Sequence, residues 1–209
     1  MKRRSTSSDP AARLRRQRVA SEAARLLAEG GGDLAWARRK AAERLGVREP
    51  AHLPDADEIR EALRSHRRLF APDQLDPARL RRQREAALAA MDHFRDFDPR
   101  LAGPVLDGSA GPGDAIVLHL HADDPDALAH LLADRGAPAR QRPRRLQLAS
   151  GEKTEVPCWE LVADEQAFEL WLLPASAARH APREPLDGSP LPRASRTALA
   201  KLLEDAGQS

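Results

Sequence analysis

The chain has 209 residues, 41% hydrophobic and 32% charged, with a formal net charge of +2 and one cysteine, Cys158. These figures allow a packed core and exclude an intrachain disulfide or a multi-cysteine zinc site. Aromatic residues make up 3%, with no tyrosine, so Leu, Ala and Val must fill the core, and Ala buries little area per residue.

No stretch approaches the roughly 18 apolar residues of a membrane helix. The segment MKRRSTSSDPAAR is positive with no apolar run behind it, so no secretory signal is expected. A single cysteine suits a reducing compartment, and the expectation is a soluble, cytoplasmic protein with no membrane partner. The abundance of Ala, Arg and Pro reads as the coding bias of a high-GC bacterial genome. The net charge hides an asymmetry. Residues 1–100 hold 23 Lys+Arg against 16 Asp+Glu, a balance of +7, and the remainder holds 11 against 16, a balance of −5. That split fits a basic N-terminal half that meets nucleic acid or an acidic protein, or simply arginine-rich helices in solvent.

In chain order, residues 1–8 are polar and read as a disordered tail. Asp9-Pro10 reads as an N-cap and first helical position. A helix to Glu29 follows, with Val19, Ala20, Ala23, Leu26 and Leu27 on one face. The glycines at 30–32 end it, and Asp33 caps a second helix from Leu34 to Leu45. Asp55 caps a third, with Ile59 and Leu63 inward, and Asp76-Pro77 opens a fourth, to about Phe97. Residues 9–98 therefore read as a helical bundle.

After Pro99 the pattern changes. Val105-Leu106 leads into the loop Asp107-Gly108-Ser109-Ala110-Gly111-Pro112-Gly113, and Ala115 to His121 reads as a buried strand. Asp124-Pro125 opens a helix that ends at Arg135-Gly136. Strands follow over Arg145–Ala149, Pro157–Val162 and Phe168–Leu173, then a last helix from Ala194 to Glu204. The fold class is α+β, an N-terminal helical bundle (9–98) followed by a small mixed sheet (99–209).

Residues 17–47, which end the first helix in Leu-Leu-Ala-Glu-Gly and carry Ala42-x-x-x-Gly46-Val47, resemble the start of a TetR-type helix-turn-helix domain. A recognition helix would begin just beyond Val47. Pro50 and Pro54 would break it, and Glu49, Asp55 and Asp57 carry the wrong sign for phosphates.

In the second half, Leu106-Asp107-Gly108-Ser109 followed by a strand resembles the nucleotidyltransferase fold, and the order of elements resembles bacterial proteins grouped as nucleotidyltransferase-like. That superfamily carries Gly-Ser and then a strand with Asp-x-Asp, and its Gly-Ser turn lets backbone N–H groups approach phosphate oxygens. Gly108 and Ser109 are the phosphate-binding candidates on this reading. The paired aspartates, which share a strand face and grip Mg²⁺, are missing. One register puts His119-Leu120-His121 at their place, and the other puts Ala115 and Val117 there. Glu169 stands for the third carboxylate.

His119, His121, Glu169 and Arg145 are thus the candidates to line a site. The resemblance implies a pseudoenzyme that binds a nucleotide. Two histidines and a carboxylate would alternatively suit a softer divalent metal and an atypical transferase. Cys158 reads as a buried, inert thiol.

Overall fold

The structure is a computed structural model that describes residues 10–30, 33–70 and 76–207. The tail over 1–8, the Asp9 cap, and Gly31 and Gly32 lie outside the described residues. The chain divides into two compact units, Met1–Asp73 and Gln74–Ser209. Among the described residues no helix is long and apolar enough to cross a membrane.

The first unit holds three helices, α1 (Pro10–Ala28), α2 (Leu34–Arg44) and α3 (Ala56–Phe70). Their starts follow from local chemistry. The Asp33 carboxylate accepts the N–H of Trp36 at 2.7 Å. Asp55 accepts the N–H of Glu58 while Glu58 accepts the N–H of Asp55, a reciprocal capping box. Small side chains let the helices approach closely: Ala20, Ala23, Ala24, Ala37 and Ala41 are buried together with Val19 and Ile59.

The Ala42…Gly46-Val47 pattern proves to be a helix stop. Gly46 takes a φ of +65, its N–H reaches Glu43, and the Val47 N–H reaches the Ala42 carbonyl at 2.9 Å. This is a Schellman cap, in which only glycine adopts the left-handed turn without strain. Residues 47–49 are irregular, and a single 3-10 turn spans Pro50–His52 before α3 begins. No α-helix occupies the stretch just beyond Val47, as the two prolines require.

The second unit begins with α4 (Pro77–His93), whose N-cap Asp76 accepts the N–H of Ala78 at 2.9 Å. Helical structure continues to the 3-10 turn Arg95–Phe97, and Ala87, Met91 and Phe94 join the core of the sheet that follows. The apolar stripe of α4 packs against the strands of its own unit.

Eight strands follow, two of them a separate hairpin. They are β1 (Arg100–Ala102), β2 (Ile116–His121), β3 (Ala139–Gln141), β4 (Arg144–Gln147), β5 (Lys153–Val156), β6 (Cys158–Ala163), β7 (Gln166–Leu173) and β8 (Arg193–Ala194). A one-turn helix, α5 (Gly103–Asp107), follows β1, α6 (Ala127–Asp134) follows β2, and α7 (Arg196–Gly207) ends the chain.

The main sheet has the order β3-β6-β7-β2-β1-β8. β2 and β7 are parallel at its centre, and the other pairs are antiparallel. β4 and β5 form the hairpin. The α+β class and the mixed sheet follow the sequence reading, while β1, β3, β5 and β8 are additions to it. β6 and β7 are joined by Asp164 and Glu165, both at positive φ, the two-residue turn whose twist matches that of the strands.

One face of the sheet is apolar. Ile116, Leu118 and Leu120 of β2 and Phe168, Leu170 and Leu172 of β7 pack with α4 residues, with Leu128 of α6 and with Leu199 of α7. The alternation that buries these residues turns their neighbours to the opposite face.

Candidate functional site

The opposite face carries the chemistry. Register places Val117 beside Glu169, His119 beside Trp171 and His121 beside Leu173. From β6, Glu160 faces Glu169 and Cys158 faces Trp171. From β1, Arg100 faces His119 and Ala102 faces Val117, and Arg193 of β8 continues the row beyond Ala102.

Two acids on adjacent strands repel unless a cation lies between them. Arg144 supplies it, with Nη2 donating to Glu169 at 2.6 Å and to Glu160 at 3.3 Å. The second oxygen of Glu169 accepts the indole N–H of Trp171 at 2.9 Å. Burial, with Glu169 adding to it, pushes the Cys158 thiol up to about 11. The thiol therefore stays protonated near neutral pH and is a poor nucleophile, as expected of a buried cysteine.

The two histidines behave differently from each other. His119 is 2% exposed and stacks on Trp171 with ring centroids 5.3 Å apart. Its Nδ1 has no hydrogen-bond partner among the described residues. Burial, then Arg193 and His121, hold its imidazole down to about 3, so it is neutral at physiological pH.

His121 donates its Nδ1–H to the Asp98 carbonyl at 2.8 Å, which leaves Nε2 to accept from Arg193 at 3.2 Å. Burial holds this imidazole below the usual histidine value despite the opposing pull of the Asp98 carbonyl. A histidine whose lone pair faces a guanidinium is not presented to a metal.

The expected grouping of His119, His121 and Glu169 is therefore revised. All three share the face, but each is engaged by a ring, a main-chain carbonyl or an arginine. Among the described residues no three His, Cys, Asp or Glu side chains are placed to hold a metal ion. Arg145, a candidate to line the site, projects from the β4–β5 hairpin and pairs with Glu155 at 3.3 Å. Its neighbour Arg144 turns inward instead.

Gly108 and Ser109 do not join this face. Their loop is held under α4, where Arg84 donates to the carbonyls of Val105 and Leu106 at 3.1 Å each. Gln83 and Arg79 donate to Asp114 and Ala110. Ser109 is 3% exposed, and its N–H donates to Asp107 at 2.8 Å while the Gly111 N–H donates to Asp114 at 2.6 Å. The amides that an open cradle would turn toward phosphates are occupied by the loop's own aspartates.

The glycine that does approach the β2 row is Gly103, at a φ of +72, where an added Cβ would lie 3.3 Å from Val117 Cγ2. Its signal in the sequence is Gly103-Pro104, a turn pair ahead of the apolar Val105-Leu106. Beside the row a cleft of about 720 Å³ opens, lined by Ala115, Arg140, Glu160, Leu161, Phe168 and Glu169. No family model, curated protein or solved structure matches this chain.

Proposed function

We propose that the protein binds a nucleotide on a nucleotidyltransferase-like frame and does so without Mg²⁺-dependent transfer. The observation that carries the reading is the pair at the centre of the sheet. Val117 stands opposite Glu169, and the Glu169 carboxylate is committed to Arg144 and Trp171. Mg²⁺ requires several oxygen donors in near-octahedral array. An alkyl group beside an arginine-bound carboxylate offers none that is free.

The neighbouring cleft falls within the size range of small-molecule sites, which supports binding without chemistry. Calorimetric titration of the four NTPs, with Mg²⁺ and with chelator, tests this. The expected result is binding of similar strength in both. An affinity raised about tenfold or more by Mg²⁺, a coupling of the size that marks linked sites, would overturn the metal-independent reading. So would transfer of nucleotide to any acceptor. Absence of binding for all four NTPs would overturn the nucleotide reading itself.

A further inference from the structure

A second cavity in the Gln74–Ser209 unit has a different composition. It measures about 670 Å³ and is lined by Arg100, Arg179, His180, Arg183, Arg193 and Ser195, with no carboxylate among its lining residues. Four guanidinium groups around one concavity repel one another strongly unless an anion enters. A fold that keeps them there must hold them in place by other means.

The hydrogen bonds show how. Arg183 donates Nε and Nη2 to the Ala149 carbonyl at 3.1 and 2.9 Å, and Nη1 to the Gly188 carbonyl at 3.0 Å. Arg193 donates to the carbonyls of Ala177 at 2.9 Å and Ala178 at 3.3 Å. Main-chain carbonyls orient these two groups and leave their full charge in place, which a carboxylate would not. Arg100 alone is matched, by both oxygens of Asp98. Arg179 is exposed and has no partner among the described residues.

The frame around them is tied down. The Arg183 N–H donates to Gln147 at 2.7 Å and the Leu191 N–H to Pro182 at 2.8 Å. Ser195 opens α7, its hydroxyl accepting the N–H of Ala198 at 3.2 Å, so the positive end of a helix dipole faces the same space. Burial, and then Arg100, hold the Arg193 guanidinium below its ordinary value against the opposing pull of Asp98, the direction expected of a partly buried cation.

We infer that this cavity is a binding site for a phosphate-bearing small molecule, a phosphate monoester or a diphosphate, held by Arg179, Arg183 and Arg193. The Arg179 fork can match the oxygens of a tetrahedral anion two at a time, and Arg183 and Arg193 add their charge and the N–H groups that the carbonyls leave over. A cavity of this volume suits a small ligand better than a strand of nucleic acid. The site stands whether or not the ligand carries a nucleoside.

The test is calorimetric titration of the full chain with inorganic pyrophosphate at low ionic strength. One-to-one binding is expected, weakened about tenfold by Arg179→Ala, a loss in the range of one charge-assisted contact. Arg193→Lys, which keeps the charge and loses the fork, should also weaken it. Arg145→Ala, which removes an exposed arginine outside the cavity lining, should leave it unchanged. Arg179 is solvent-exposed, so its variant folds even if the Arg193 variant does not.

No binding at millimolar pyrophosphate would overturn the inference. Equal affinity of wild type and Arg179→Ala would too, as would an equal loss in Arg145→Ala. Pyrophosphate binding that depends on Arg179, with no NTP binding, would uphold this site and sink the nucleotide reading. NTP binding indifferent to Arg179→Ala, with no pyrophosphate binding, would do the reverse.

Discussion

The two units differ in how they hold their partly buried arginines. In the first, the cations pair with carboxylates one helical turn away: Arg25 with Glu22 and Glu29, Arg60 with Asp57, Arg64 with Glu61. In the second, Arg84, Arg183 and Arg193 are partly buried and donate to main-chain carbonyls. The first unit thus cancels much of its charge locally, and the second gathers arginines without a carboxylate partner, Arg179, Arg183 and Arg193, in one cavity. A charge tally along the chain does not locate positive potential. The partner that each guanidinium chooses does.

The comparison has consequences that hydrogen exchange resolves unit by unit. The largest concerns acid. His119 is neutral in the folded second unit, its value held down to about 3, well below the ordinary histidine value near 6.5. An unfolded chain takes up this proton as pH falls below about 6.5 and the folded one does not. The second unit should therefore lose stability below that point at roughly 1.4 kcal/mol per pH unit per proton. His119→Phe, which keeps a ring on Trp171, should flatten the slope between pH 6 and 5. A second unit equally stable at both pH values would break the contrast.

Next in size is a matched pair of substitutions. Arg84→Met leaves the carbonyls of Val105 and Leu106 without their donor and should cost the second unit about 1–3 kcal/mol. Arg64→Met removes an exposed pair in the first unit and should cost about 0.5 kcal/mol or less. Equal losses in denaturant titration would show that the main-chain bonds of Arg84 count for no more than a surface ion pair.

The smallest effect belongs to Glu22, which Arg25 first and Arg44 next hold down to about 2 against the opposing effect of burial. Its contribution is present above the unfolded value near 4.5 and disappears as pH falls toward 2. Since these ions are largely solvated, about 0.2–1 kcal/mol is at stake. Glu22→Gln should remove that much at pH 7 and leave the first unit's stability unchanged at pH 2.

Much of the architecture was legible because it is written locally. Asp33, Asp55 and Asp76 announce three helices through bonds to residues two or three positions on. The alternation in Ile116–His121 and Phe168–Leu173 tells which side chains face the helices. β1, β3 and β8 are two or three residues long, too short to show any alternation, and exist only because longer neighbours offer them an edge. The destination of α4 was equally illegible, since Ala87 and Met91 present the same stripe to a helix or to a sheet.

At the site, the histidines and Glu169 could be read from the strand pattern. Which way the Gly108–Ser109 amides turn could not. That depends on Asp107 and Asp114 folding back onto the loop, a matter of a few torsions. The arginine cavity drew nothing from sequence order either, since Arg100, Arg183 and Arg193 meet only through pairing of distant strands and turns.

The parallel pairing of β2 with β7 also sets a timetable. These strands lie more than forty residues apart in the chain, with α6, the β4–β5 hairpin and β6 between them. β6 and β7 can zip through their two-residue turn at once, but the middle of the sheet waits until that long intervening stretch has closed. A ribosome that has released only the chain up to β6 holds β2 with one flank bare. Only when β7 has emerged, as far as Leu173, does the row containing His119 gain a second wall beside β1.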